Sequence, residues 1–236
     1  MTTLTTQHFP SRAALDSALQ ERLARALAVR GPSAVMLAGG NTPVPAYRAL
    51  SSRPPPHDER LCVLFSDERY VALDSPASNY HQARPLLEAL ALSAERLLRV
   101  RTELPLEEAA GDYARRLEAL VSSGVPIGLG LLGLGADGHT ASLFSRSDLE
   151  RARGRLAIAV QRPDGMSAVS VTPDLLAQVR EPLFVVAAGG KQAAIAALTA
   201  QDPQLTAWRA VQGCPSVELW VCEADSAVEE AVHVEL

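Results

Sequence analysis

The sequence predicts an α/β protein: one domain over residues 1–236, built on a single doubly wound, mostly parallel sheet with helices on both faces. Two observations carry this. Uninterrupted apolar runs at 34–38, 61–65 and 127–133 are too short for helices and suit strands covered on both sides. Between them lie stretches with apolar residues at helical spacing, and strands alternating with such helices build parallel crossovers. A chain of 236 residues, 47% of them apolar, also buries a sizeable core without metal or disulfide staples.

The elements follow in order. Residues 11–30 set Leu15, Leu19, Leu23, Ala26 and Leu27 on one stripe, with arginines and acids opposite, so a helix opens the chain. After the strand at 34–38, Thr42 reads as a helix N-cap with Pro43 at the first helical position. Arg53-Pro54-Pro55-Pro56-His57 is a stiff local linker, too short to part domains. A strand at 61–65 and helices at 79–92 and 107–122 come next, the last stopped by Gly124. Strands are expected at 127–133, 156–160, 183–188 and 217–222. An alanine-rich helix runs from Lys191 to Thr199, and a short acidic helix ends the chain.

Composition narrows the function. With 27 acidic against 22 basic residues the net charge is -5, which argues against a broad nucleic-acid face. The longest apolar stretch, 125–135, is glycine-rich and too short to span a bilayer. No basic start followed by an apolar run marks a signal peptide. Cys62, Cys214 and Cys222 are odd in number and lack CxxC spacing, so a reducing, cytoplasmic compartment is expected. No histidine spacing suits a metal, no GxSxG elbow offers a hydrolase serine, and no cofactor is expected. A monomer is compatible with all of this. Among the basic residues only Lys191 is a lysine; every other one is arginine.

In parallel α/β sheets ligands bind beyond the carboxyl ends of the strands, which singles out four loops. Gly39-Gly40-Asn41-Thr42 combines glycines that let an anion approach the backbone with side-chain donors and a helix start. Asp67-Glu68-Arg69 is a charge run straight after a buried strand; a solvated face would look the same. Residues 133–144 carry Gly135, Asp137 and His139 on a glycine-rich loop. The GxGxxG pattern at Gly133, Gly135 and Gly138 lacks the distal acid of a dinucleotide site, and the one at Gly128, Gly130 and Gly133 lies inside a strand, leaving a loop-borne histidine as the chemical feature. Gly189-Gly190-Lys191 is not a Walker loop, but a cation at a helix start runs against the macrodipole and points to a bound anion.

These loops resemble those of the 6-phosphogluconolactonases, within the broader group that includes glucosamine-6-phosphate isomerase/deaminase. The likeness runs from Gly39-Gly40-Asn41-Thr42-Pro43 through Asp67-Glu68-Arg69 and Ser78-Asn79 to Gly189-Gly190-Lys191. Its most specific piece is 133–144, whose Thr140-Ala141-Ser142-Leu143-Phe144 ending is lactonase-like. The deaminase branch carries an acid soon after the histidine, and none occurs here between His139 and Asp148. The resemblance implies metal-free hydrolysis of 6-phospho-D-glucono-1,5-lactone, a small phosphosugar, in the oxidative pentose phosphate pathway. The chain departs from the family at Asn41, Ala72 and Ser145, and at Ala168, where the family often has an arginine; Arg162 is the nearest substitute.

The expected roles are His139 as general base, Asp67 or Asp137 orienting it, and Arg69 stabilising developing negative charge. Gly39, Gly40, Asn41, Thr42, Gly135 and Lys191 would bind the substrate and its phosphate. An amino-sugar-phosphate isomerase/deaminase and a non-catalytic sugar-phosphate sensor are the alternatives.

Overall fold

The computed structural model describes residues 2–187 and 189–222. A seven-stranded sheet fills the middle, and every neighbouring pair in it is parallel. Its strands are β1 (Thr3–Phe9), β2 (Ser33–Leu37), β3 (Leu61–Phe65), β5 (Leu97–Leu98), β6 (Ile127–Leu132), β9 (Val179–Ala187) and β10 (Ser216–Cys222). They lie in the order β1-β10-β9-β6-β2-β3-β5. The helices are α1 (Arg12–Leu27), α2 (Val44–Ser52), α3 (Asn79–Leu90), α4 (Leu106–Ser122), α5 (Arg146–Arg151), α6 (Pro173–Leu176), α7 (Gln192–Thr199) and α8 (Thr206–Val211).

Side-chain alternation explains why the central strands are apolar throughout. Val35 and Leu37 of β2, with Val63 and Phe65 of β3, pack with the Leu15–Leu27 stripe of α1 and with α2 and α3. Their neighbours Ala34, Met36, Cys62 and Leu64 point the other way, into a core shared with α4, α7 and α8. Each residue of β2 and β3 therefore meets a covered face, and the sheet is doubly wound as expected.

A second sheet was not anticipated. The strands β4 (Asp67–Arg69), β8 (Ser167–Val171) and β7 (Ala157–Gln161) pair antiparallel in that order. The strand expected at 156–160 thus joins this sheet and not the central one. The charged triplet 67–69 is strand because its backbone pairs with β8, which local propensity does not announce. β1 also escaped the sequence reading: TLTTQHF is mostly exposed at the sheet edge and has no apolar run. Thr42 does not cap α2. Pro43 holds that position without a side-chain cap, and Arg12 Nη2 binds the carbonyls of Asn41 and Thr42 at 3.0 and 3.1 Å. The acidic C-terminal helix expected from sequence lies outside the described residues. All three cysteines are buried and none is in a disulfide, and among the described residues no helix is long and apolar enough to cross a membrane.

Candidate active site

The strand order builds the site. β9, β6, β2 and β3 are consecutive in the sheet, and being parallel they send their following loops to one edge. The chain leaves β2 toward β3 and β5 on one side, and leaves β6 toward β9 and β10 on the other. The crevice between β2 and β6 is therefore the switch point where such sheets bind ligands. A cleft of about 800 Å³, its open mouth included, lies there. Gly39, Gly40, Asn41 and Thr42 line it from the β2 loop, Asp67 and Arg69 from β4, Gly135 and His139 from the β6 loop, and Lys191 from the β9 loop. The four loops singled out from sequence do meet.

The histidine loop is tightly closed. Gly135 N–H donates to the His139 carbonyl at 2.9 Å, Gly138 N–H donates to the Gly135 carbonyl at 3.0 Å, and Gly138 turns the chain with φ +82°. Thr140 Oγ1 donates to the Gly133 carbonyl at 2.8 Å. Beyond it Ala141 sits at φ +49°, a conformation that costs an alanine about 1 kcal/mol and turns the chain beside the cleft. His139 Nδ1 lies 2.5 Å from Asp137 Oδ1, which leaves Nε2 as the free ring nitrogen. Burial alone would raise the Asp137 carboxyl, but the hydrogen bond and charge of His139 hold it below its usual value. The other face of the imidazole meets Phe144, ring centres 4.3 Å apart.

Asp67 is engaged elsewhere. Its Oδ2 accepts from Ser142 Oγ at 2.7 Å, and its Oδ1 from Ser66 Oγ at 3.0 Å and Asn79 Nδ2 at 3.2 Å. Of the two carboxylates considered for orienting the imidazole, Asp137 is the one in contact. Asp67 instead ties the β3, α3 and His139 loops into one buried cluster. Glu68 is also structural: its carboxylate accepts the N–H groups of Arg69, Asn79 and Tyr80 at 2.7–2.9 Å and so binds the start of α3. Burial pushes it up to about 7 against those donors. Arg69 is fixed by Nη1 donating to the Ala77 carbonyl at 2.9 Å.

On the opposite wall Gly39 lies against Asn79; a Cβ there would sit 1.8 Å from Asn79 Oδ1, so only glycine fits. Gly40 has φ +96°, and its N–H is taken by Gln82 Oε1 at 2.8 Å. Lys191 is the residue just before α7. Among the described residues it forms no hydrogen bond or ion pair. Burial lowers its pKa, with the Asp137 charge opposing. A half-buried cation in a cleft, without a hydrogen bond or ion pair, has the chemistry to receive an anion. Sequence reading missed Ser66, Ser142, Gln82 and the buried role of Asn79. Small polar residues such as these give no signal until the fold shows what they touch.

The family model for glucosamine-6-phosphate isomerases/6-phosphogluconolactonase matches residues 11–219. A 6-phosphogluconolactonase from Synechocystis sp. is 36% identical over 211 residues, covering 86% of each chain. The human 6-phosphogluconolactonase is 33% identical over 194 residues, covering 78% of this chain and 75% of its own. The crystal structure of 6-phosphogluconolactonase from Thermotoga maritima superposes with a TM-score of 0.77 at 26% identity, covering 94% of this chain and 100% of the other.

Proposed function

This chain belongs to the glucosamine-6-phosphate isomerase/6-phosphogluconolactonase family, and from that membership we propose that it hydrolyses 6-phospho-D-glucono-1,5-lactone to 6-phosphogluconate. It is a lactone hydrolase by the names of the relatives it matches over most of its length. The observation that carries the reading is the His139–Asp137 pair, facing a cleft that also holds an unpartnered lysine. A sensor of sugar phosphates has no use for such a base.

The geometry supports the following chemistry. With Asp137 accepting from Nδ1–H, the Nε2 lone pair of neutral His139 takes a proton from water as the water oxygen attacks C1 of the lactone. The carbonyl electrons move onto oxygen, where Arg69 and nearby backbone N–H groups receive the charge. As the C1–ring oxygen bond breaks, the imidazolium returns the proton to the departing oxygen. No metal is needed in this scheme. Lys191 and the Gly39–Thr42 loop hold the phosphate, and anchoring the remote end fixes the reacting carbon near the base. Such orientation lowers a barrier by several kcal/mol, up to about 7–11 in ideal cases.

The deaminase alternative calls for a ring-opening acid soon after the histidine in the chain. The first acid after His139, Asp148, is consumed in a capping box: it accepts Phe144 and Ser145 N–H at 3.1 and 2.9 Å and pairs with Arg151 at 2.7 Å. That supports the lactonase reading. Fresh phosphogluconolactone, made in situ and followed by acid release, should be consumed well above its spontaneous rate. Ammonia release from glucosamine-6-phosphate, with the lactone untouched, would reverse the assignment. Lys191→Ala should mainly raise KM, by about 10-fold or more, the scale of a charge-assisted contact. An unchanged KM with only a lower Tm would make the lysine structural.

A further inference from the structure

Arg162 has no part in the scheme above, yet the structure builds it into the same cleft. It opens the turn joining β7 to β8: its N–H donates to the Met166 carbonyl at 2.8 Å, and its carbonyl accepts from Gly165 at 3.1 Å. The neighbouring Asp164 is 43% exposed, but the Arg162 side chain is only 12% exposed, because it folds inward. Asp164 Oδ2 accepts from both Nε and Nη2 at 3.1 and 3.0 Å, which fixes the plane of the guanidinium from its solvent side. The guanidinium carbon lies 5.2 Å from the centre of the Phe144 ring, and that ring is the one lying 4.3 Å from the imidazole of His139. Nη1 reaches Ser142 Oγ at 3.4 Å.

A guanidinium has five N–H groups. The contacts above engage three of them, leaving one on each terminal nitrogen. A desolvated cation with spare donors, stacked one ring away from the general base, is costly to keep in place for packing alone. Its sole charged partner among the described residues is an exposed carboxylate on the far side.

We propose that Arg162 is a substrate-binding residue, whose guanidinium, clamped by Asp164 and stacked on Phe144, binds an anionic oxygen of the phosphosugar. The inference rests on the lactonase reading of the site. That oxygen belongs either to the phosphate or to C1, where the transition state and the product carboxylate carry negative charge.

Arg162→Gln and Arg162→Lys, assayed on fresh phosphogluconolactone and for inhibition by 6-phosphogluconate and by inorganic phosphate, test it. The glutamine variant should weaken 6-phosphogluconate inhibition about 10-fold or more, and the lysine variant should recover part of the loss. If inhibition by inorganic phosphate weakens in parallel, the guanidinium holds the phosphate. If inorganic phosphate is unaffected and kcat falls as well, it holds the C1 oxygen. Kinetic and inhibition constants within two-fold of the parent, in an active parent, overturn the proposal and leave the lactonase reading standing. A loss that only tracks the folded fraction, measured by thermal unfolding in the assay buffer, also overturns it. A parent without lactone turnover overturns the lactonase reading itself.

Discussion

His139→Ala should lose about 10²–10⁴-fold in kcat on fresh phosphogluconolactone, the scale of a positioned general base, while still binding 6-phosphogluconate. The two halves of this expectation have separate causes. Lys191 and the Gly39–Thr42 loop reach the cleft from other strands, so anion binding survives removal of the imidazole. Proton transfer does not. Within the cleft lining His139 is the one histidine, and Asp67, the one carboxylate of that lining, is already engaged by Ser66, Ser142 and Asn79. Asp67 therefore cannot take over without dismantling the cluster it holds. Initial rates beside an isothermal titration with 6-phosphogluconate separate the outcomes. Parent-like turnover would remove His139 from the mechanism, and loss of both turnover and binding would make it a structural residue.

Gly135→Ala should be nearly as damaging, by displacement and not by removal. A Cβ at this position would lie 2.1 Å from His139 Nδ1 and 2.4 Å from Asp137 Oδ1, inside the hydrogen bond that orients the ring. One of the two side chains has to leave. A misplacement of about 1 Å costs on the order of 100-fold in rate, so kcat should drop by that much or more. Gly135 is not among the glycines at positive φ, so alanine strains no backbone there and the loop hydrogen bonds persist. Thermal unfolding should therefore change little while turnover collapses. Parent-level kcat in this variant would show that the contact between Asp137 and His139 does not matter for the reaction.

Much of this molecule was legible in the chain. The apolar runs at 34–38, 61–65 and 127–133 became β2, β3 and β6 almost to the residue, because a strand covered on both faces must be apolar at every position. The four loops were located by one topological rule, and Lys191 by its oddity as the single lysine. Elements held by their partners, and not by their own pattern, stayed hidden. β1 is polar and mostly exposed, β4 is three charges long, and α5, α6 and α8 are too short to show a period. The site divides the same way. His139 stood out on its glycine loop, whereas the choice between Asp67 and Asp137 turned on contacts that no spacing reveals. Thr-Pro is a strong local signal for a cap at Thr42, yet α2 opens one residue later, with Pro43 at the cap position and Arg12 bound to the carbonyls of Asn41 and Thr42.

The strand order β9-β6-β2-β3 has a consequence in time as well as in space. Loops that are neighbours across the cleft are remote along the polypeptide, so His139 and Lys191 come to line one cleft only when β9 slots in beside β6. A chain still growing from its N-terminus would carry His139 long before Lys191 had been made, and long before β10 could flank the strand that delivers it. Catalytic competence should therefore be among the last properties gained on refolding, trailing the helical signal, since pairings this distant are slow to close. Turnover thus reports completion of the sheet.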